Sequence, residues 1–404
     1  MDVRKIRADF PMLNRPEKRI YFDNAATTFK PQCVIDAEME YYRSYCANTH
    51  RGDYDIAYEA DVHYEEARKK VAAFIGADKN EVAFTSGDSM GLNTVAYGLL
   101  KTLKKEDEIL ISVVEHASNV LPWYRVAEIV GCRVGFIPVD ENGGISPENL
   151  LKVISDKTKV VALAHISNVI GSVNDVKALA EIAHRFGALF VLDGAQSVPH
   201  LKVDVKNLDV DFLTFSGHKC YGPTGIGVLY GKYDLLEKIE PYFLGGGMNA
   251  SFDLCGHIRY LYPPTKFEAG TQNIAGAIGL ARAVEYLESI GMDEIYHYET
   301  DLKRYLVGRM KELDNVTVYN ENTPSGIVAF NLDGVFAQDG ASLFNRYGIC
   351  LRSGEHCAKL LHHYLNVDQT LRASVCFYNT KEEVDEFIEV CKKGGDFLDA
   401  FFAD

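Results

Sequence analysis

The chain has 404 residues, 47% hydrophobic and 25% charged, with a formal net charge of −15; this is the composition of an ordinary globular protein, long enough for two domains. The acidic balance argues against a nucleic-acid surface, which wants clustered Lys and Arg, and against an anionic membrane. It leaves room for a small anionic ligand, because the field in a site is local and can oppose the net charge. The segment Met1 to Phe10 has no apolar run before a cleavage signal, and no apolar stretch nears the roughly 20 residues a membrane helix requires. A cytoplasmic protein is therefore expected. The nine cysteines are odd in number and form no CxxC pair, which fits reduced thiols rather than a disulfide framework or a zinc site.

From about Glu81 to Gly231, short apolar strands alternate with helices. The expected strands are Val82–Thr85, Ile109–Ser112, Val134–Ile137, Val160–Leu163, Leu189–Leu192 and Phe212–Phe215. Between them lie helices such as Asn174 to Phe186, with Val176, Leu179, Ala180 and Ala183 on one face. Continuous apolar strands separated by helices predict a mostly parallel sheet covered on both faces, with ligands beyond the carboxyl ends of its strands. From about Gly291 the character changes. Charged helices, Asp293 to Leu313 and Lys381 to Phe397, flank short strands Val316–Val318 and Ile327–Phe330. The expected division is a large domain over 16–290 and a smaller α+β domain formed by 1–15 and 291–404.

Six places carry candidate chemistry. In Phe212-Leu213-Thr214-Phe215-Ser216-Gly217-His218-Lys219, one lysine ends an apolar strand before a glycine-rich turn. Kept partly from water, it becomes a nucleophilic amine suited to a Schiff base with an aldehyde cofactor, while Ser216 and His218 suit a phosphate. Taken alone, a lysine reaching out to solvent explains the stretch equally well. Asp193 follows Leu189–Leu192; a carboxylate there needs a cation such as a protonated pyridine nitrogen, or else serves as a helix cap. Gln196 just beyond adds to a ring-recognition reading. Thr85-Ser86-Gly87-Asp88-Ser89-Met90-Gly91 joins a strand to a helix and can hold an anion with its amides and Ser89, though a capped helix start needs no ligand. His116, after a strand, can stack on a ring and move protons, although a lone histidine is more often structural. Arg352-Ser353-Gly354-Glu355-His356-Cys357 sets a thiol near basic groups that favour its thiolate, or is a half-buried loop thiol. Arg372 is a fork for a substrate carboxylate, or a surface ion pair.

Taken together, these residues make the chain resemble a cysteine desulfurase of the class V aminotransferase superfamily, PLP fold type I. The Suf-type group, which includes selenocysteine lyases, is the most similar. The resemblance runs through Tyr21 to Thr28, Glu115-His116, His165-Ile166-Ser167-Asn168, Asp193-Gly194-Ala195-Gln196-Ser197, Ser216 to Lys219, Phe267-Glu268-Ala269-Gly270-Thr271, the Cys357 loop and Arg372-Ala373-Ser374. It implies a large domain with a mostly parallel seven-stranded sheet between helices. It implies pyridoxal 5′-phosphate on Lys219, with Asp193 at the ring nitrogen, Gln196 at the phenolic oxygen and His116 over the ring. Ser89, Ser216 and His218, with Asp88 beside them, hold the phosphate, joined by Thr271 from the second subunit of a homodimer. Asn168, Arg372 and Arg352 receive the substrate carboxylate, with Asn24 and Ala25 close by. Cys357 takes the sulfur from L-cysteine as a persulfide, leaves L-alanine, and passes the sulfur to an acceptor protein of the SufE or SufU kind for iron–sulfur cluster assembly. The short Cys357 loop favours such a shuttle.

The pattern also departs from that family. Asp88-Ser89-Met90 stands where two threonines and a Glu are usual, so an acid lies near the phosphate site, either capping the helix or weakening cofactor binding. The missing Glu is the usual partner, across the dimer, of the residue equivalent to Arg51, and Asp53-Tyr54 follows His50-Arg51-Gly52 where an apolar residue and a His are usual. Glu355 replaces a second His, which predicts a less reactive Cys357. The competing readings are a selenocysteine lyase or other lyase or aminotransferase of the same fold, and a cofactor-binding scaffold whose catalysis has decayed.

Overall fold

The computed structural model describes residues 1–49 and 52–396; His50, Arg51 and the segment from Phe397 onward lie outside the described residues. The chain enters through helix Val3–Ala8, whose first turn is capped by the Asp2 carboxylate, and a short strand β1 (Ile20–Tyr21). Seven strands then build the central sheet: β2 (Val82–Thr85), β3 (Glu108–Ser112), β4 (Arg133–Ile137), β5 (Thr158–Ala164), β6 (Leu189–Asp193), β7 (Phe212–Ser216) and β8 (Gly227–Gly231). Their order is β2-β8-β7-β6-β5-β3-β4. Strand β8 runs antiparallel to both its neighbours, and all other pairs are parallel. Because β8 reverses direction twice, β2 points the same way as β7. The carboxyl ends of β2, β3, β5, β6 and β7 therefore share one edge.

The unbroken apolar runs have a direct cause. Side chains alternate across a strand, so Val161, Leu163, Phe190 and Leu192 enter one core while Val160, Ala162 and Val191 enter the other. Helices Asp55–Phe74 and Ile274–Ile290 cover the first face with Tyr64, Val71, Leu280 and Val284. Helices Asp88–Gly98 and Leu121–Val130 cover the second with Leu92, Val95, Trp123 and Val126. Helix Val176–Arg185 buries the expected stripe Val176, Leu179, Ala180 and Ala183.

The sequence pattern does not single out β8, a short apolar run between glycines just after a glycine-rich turn. Its first residue explains the glycine: a Cβ on Gly227 would meet the Cα of Gly87 at 2.5 Å. The bare backbone lets the start of helix Asp88–Gly98 settle against the sheet edge.

After a hairpin of β9 (Asn249–Phe252) and β10 (Ile258–Tyr260), the chain forms β11 (Val316–Val318), β12 (Ile327–Leu332), β13 (Ile349–Cys350), β14 (Arg352–Gly354) and β15 (Thr370–Ser374). A second, antiparallel sheet has the order β11-β12-β15-β14. Strand β1 pairs in parallel with β13, and its Ile20 joins Val328, Phe330, Leu343 and Phe387 in a separate core. Helices Met292–Met310 and Lys381–Cys391 pack on it. The second helix gives way to a single 3₁₀ turn, Lys392–Asp396, containing the pair Gly394-Gly395, which lacks the propensity to continue it. The bridge between Asp23 and Ser374 joins β15 to the segment after β1. It brings the end of the second sheet over the carboxyl edge of the first.

Candidate active site

At that edge lies a cavity of about 200 Å³. Its floor carries Asp193, the last residue of β6, and Lys219, in the turn after β7. Asp193 is 4% exposed, and its Oδ1 accepts from Ala195 N at 2.9 Å. Burial pushes the Asp193 carboxyl up and the Lys219 ammonium down, and the opposite charge of each moderates the shift of the other. The turn bearing Lys219 is stapled from the N-terminal segment. The His218 carbonyl accepts from Thr27 Oγ1 at 3.0 Å, Thr28 N at 3.1 Å and Lys30 Nζ at 2.8 Å, and Thr28 Oγ1 accepts from Tyr221 N at 3.1 Å. This gives the Thr27-Thr28 motif a physical purpose that composition alone does not show.

One wall is the start of helix Asp88–Gly98 with Ser89, Ser216 and His218. Ser216 Oγ accepts from Asp88 N at 2.8 Å. Asp88 is not the helix cap: Gly87 holds that place, and Asp88, the first helical residue, turns its carboxyl inward, where Oδ1 accepts from Thr214 Oγ1 at 2.5 Å. Burial first, and the Asp193 charge second, push its carboxyl up to about 8. Ser89 Oγ lies 2.6 Å from Ser118 Oγ, which lies 3.0 Å from His116 Nδ1. That nitrogen also accepts from Ser118 N at 3.1 Å. Burial and the cations Lys219, Arg352 and Arg372 lower His116 to about 4, so a neutral ring faces the cavity. Behind it, buried Glu115 receives Ser112 Oγ at 2.6 Å, Asn119 Nδ2 at 2.8 Å and Ala164 N at 2.7 Å, fixing the loop that carries the ring.

The opposite wall holds acceptors and donors without partners. Gln196 Nε2 donates to Ala25 O at 2.8 Å while its Oε1 is buried and unpartnered. Ala25 in turn donates to Ser374 Oγ at 2.9 Å. Asn168 Nδ2 donates to the His356 carbonyl at 2.9 Å, leaving Oδ1 unpartnered. Its amide therefore ties the Cys loop to the site. Arg372 is 1% exposed. It donates to Asn168 O at 2.9 Å and to Asp23 Oδ1 at 3.0 Å, and its Nε has no partner. Asp23 was not singled out from the sequence, although it lies inside the Tyr21–Thr28 motif.

Of the expected site residues, Asn24, Thr271 and Cys357 do not line this cavity. Asn24 is a correction: its Nδ2 donates to Ser374 O at 2.6 Å and Asn379 Oδ1 at 3.0 Å, and its Oδ1 accepts from Tyr378 OH at 2.5 Å. Those bonds hold β15 against the N-terminal segment and leave no atom for a substrate. Thr271 is exposed and lines a separate groove, with Ser86 and Met90, on the outer side of the same helix start. Arg51 lies outside the described residues.

The Cys loop follows β14. Gly354, His356 and Cys357 have φ of +115°, +50° and +57°, and the last two are in the left-handed region that non-glycine residues rarely adopt. His356 is anchored by Nε2 on Thr370, 3.0 Å from both O and Oγ1, and burial lowers it to about 2. The Cys357 carbonyl accepts from Ala117 N at 2.8 Å, which fastens the loop to the His116 segment. Cys357 is exposed, with its Sγ 4.0 Å from Arg352 Nη2. It is not itself a cavity wall, but its neighbours Arg352 and His356 are. Glu355 lies 3.8 Å from Lys359.

Hydroxyls and helix-start amides suit a phosphate, a buried carboxylate suits a cationic ring nitrogen, and a buried amine suits an aldehyde. The family model for the class-V aminotransferases matches residues 20–387. A probable cysteine desulfurase of Halalkalibacterium halodurans is 44% identical over all of both chains. The solved cysteine desulfurase of Thermococcus onnurineus is 41% identical, with a TM-score of 0.93 over 96% of this chain and 97% of that one. The cysteine desulfurase CsdA of Escherichia coli, solved as its S-sulfonic acid form, is 36% identical, with a TM-score of 0.91 over 98% and 99%. A central sheet and a carboxyl-edge cavity like these, matched along nearly the whole chain, place the protein in the class-V aminotransferase family, with the PLP fold type I.

Proposed function

We propose that the protein is a pyridoxal-phosphate-dependent cysteine desulfurase that converts L-cysteine to L-alanine and takes the sulfur on Cys357. One observation carries the reading: the Lys219–Asp193 floor and the Cys357 loop, which lie on different sheets, meet at one cavity beside Arg372. The names of the relatives support it. The cavity fits the cofactor. Ser89, Ser216 and His218 would hold its phosphate, Asp193 its ring nitrogen, Gln196 its phenolic oxygen and Lys219 its aldehyde carbon, with the His116 ring over its face. When bound, the cofactor supplies a sink for the electron pair left at the substrate Cα.

Each residue's part follows from its environment. Burial keeps Lys219 Nζ ready to lose its proton, so it can take the Cα proton and return it. Arg372, with its free Nε, receives the substrate carboxylate, and Arg352 Nη2 lies 4.0 Å from Cys357 Sγ, whose thiolate is the form that reacts. That thiolate attacks the substrate sulfur: the S–S bond forms as the C–S bond breaks, the carbon skeleton gains a proton in place of sulfur, and Cys357 carries the persulfide. In sum, L-cysteine and the Cys357 thiol give L-alanine and the Cys357 persulfide, with no outside oxidant.

The same reading includes a homodimer in which Thr271 joins the partner's phosphate site, a cytoplasmic setting, and a dedicated acceptor protein feeding an iron–sulfur scaffold. The exposure of Cys357 on a short anchored loop supports the acceptor, since the loop cannot carry sulfur far. It also includes a large domain over 16–290 and a smaller one from 1–15 and 291–404. Among the described residues, no helix is long and apolar enough to cross a membrane. The test is alanine and sulfide release from L-cysteine with a thiol reductant, comparing wild type with Cys357→Ala. Activity in the first and its loss in the second support the proposal. Yellow protein inactive on cysteine with an acceptor present would overturn it.

A further inference from the structure

Among the described residues, Asp88 is the one acidic residue on the cavity wall where the phosphate is placed by the reading above, on which this inference rests. Among the described residues its carboxyl takes one hydrogen bond, from Thr214. It is 6% exposed and lines the cavity with Ser89, Ser216 and His218. The charged and titratable groups around it are Asp193 from β6, Lys219 and His218 from the turn after β7, His116 from the loop after β3, and Arg352 and Arg372 from β14 and β15. Among the described residues no cation is bonded to it. The helix start favours an anion at this position, yet burial and the neighbouring Asp193 charge outweigh that effect. A second anion brought to the same wall, the phosphate, would add to the repulsion.

We propose that Asp88 is a pH-dependent gate on cofactor retention: as a neutral acid it lets the phosphate group settle on Ser89, Ser216 and His218, and as a carboxylate it repels that group. The sign follows from linkage. Phosphate binding favours protonated Asp88, so affinity is full below the pKa of the free site and falls as pH rises through it. With that carboxyl pushed up to about 8 in the free site, affinity at pH 9 should be about tenfold below its plateau, a loss that continues tenfold per unit until the pKa of the loaded site is passed.

The experiment is a cofactor dissociation constant from pH 6.5 to 9.5, read by fluorescence or equilibrium dialysis. It uses wild type, Asp88→Asn and Asp88→Thr, each with pyridoxal 5′-phosphate and with pyridoxal, which lacks the phosphate. Wild type should weaken toward the phosphorylated cofactor above pH 8. The two variants should lack this component and bind about tenfold tighter than wild type at pH 9. Pyridoxal should show no difference between wild type and variants in pH dependence. A wild-type profile that superimposes on Asp88→Asn, or an Asp88-dependent fall that appears equally with pyridoxal, overturns the gate while leaving the cofactor reading intact. Failure of every form to bind pyridoxal 5′-phosphate at any pH overturns the cofactor reading itself. Should one variant fold poorly, the other variant and the wild-type difference between the two ligands still decide the matter.

Discussion

Two arginines in this molecule are equally buried and have opposite surroundings. Arg68 is closed off: it meets Glu268 through Nη1 at 2.5 Å and Nη2 at 2.9 Å, Glu65 through Nη2 at 3.2 Å, and the Val82 carbonyl through Nη1 at 2.9 Å. Glu268 is completed by Phe84 N at 2.8 Å and Tyr64 OH at 3.1 Å. These partners raise Arg68 further despite its burial. Arg372 has one oxygen of Asp23 and one carbonyl, an unpartnered Nε and a cavity in front, and burial lowers it. A saturated buried ion pair is part of the fold. A half-saturated one bordering a cavity is a place made for an anion.

Mutation separates the two arginines. In the largest expected effect, Arg372→Lys loses the fork geometry and should lower kcat/KM for L-cysteine by at least about a hundredfold, with little change in melting temperature. Arg68→Met should do the reverse, losing about 3–5 kcal/mol of stability because Glu268 is left buried and unpaired. Urea unfolding and steady-state kinetics on both variants decide this; a large stability loss for Arg372→Lys would place it with Arg68. Smaller, Tyr378→Phe removes the donor to Asn24 Oδ1 and should cost about 1–3 kcal/mol. Its melting curve, with a KM unchanged within about twofold, would mark Asn24 as a fastener rather than a substrate contact.

The next effect is in acid. Burial lowers His165 from the ordinary 6.5 to about 4. A depressed pKa gives stability that is present above 6.5 and lost as pH falls through about 4, because only the unfolded chain takes the proton in between. His165→Asn should therefore reduce the pH slope of the unfolding free energy in this window by about one proton; an unchanged slope would contradict it. The smallest effect is at Glu355, whose exposed pairing with Lys359 is worth little. Glu355→Gln should change the alkylation rate of Cys357 by less than about twofold, whereas a large acceleration would restore the inhibitory part that its sequence position suggests.

What was legible in the sequence follows the same division. The parallel sheet was readable because strands buried on both faces are apolar throughout, and the same strand-end logic pointed to Asp193, His116, Asn168 and Lys219, which line one cavity. Strand β8 was hidden by its glycines: Gly227 serves a close approach to Gly87, and Gly231 packs against Leu236 and Phe212, and neither makes a turn. Asn24 and Asp23, adjacent in the chain, part company: the first is taken up by Tyr378, Ser374 and Asn379, and the second, for which the sequence suggested no role, pairs with Arg372. Neighbours on an irregular segment point in different directions, and only the arrival of β15 decides which one meets the arginine. For Asp88 the sequence left a helix cap and an acid facing the phosphate equally open, because its inward turn depends on Thr214, from a strand far along the chain.

The most direct measurement is the mass of the Cys357 peptide after holoenzyme meets L-cysteine without reductant, in wild type and in Lys219→Ala. Wild type should carry one added sulfur on Cys357 and the variant none. No added sulfur on the wild-type peptide, or sulfur on another cysteine with Cys357 unmodified, would contradict it.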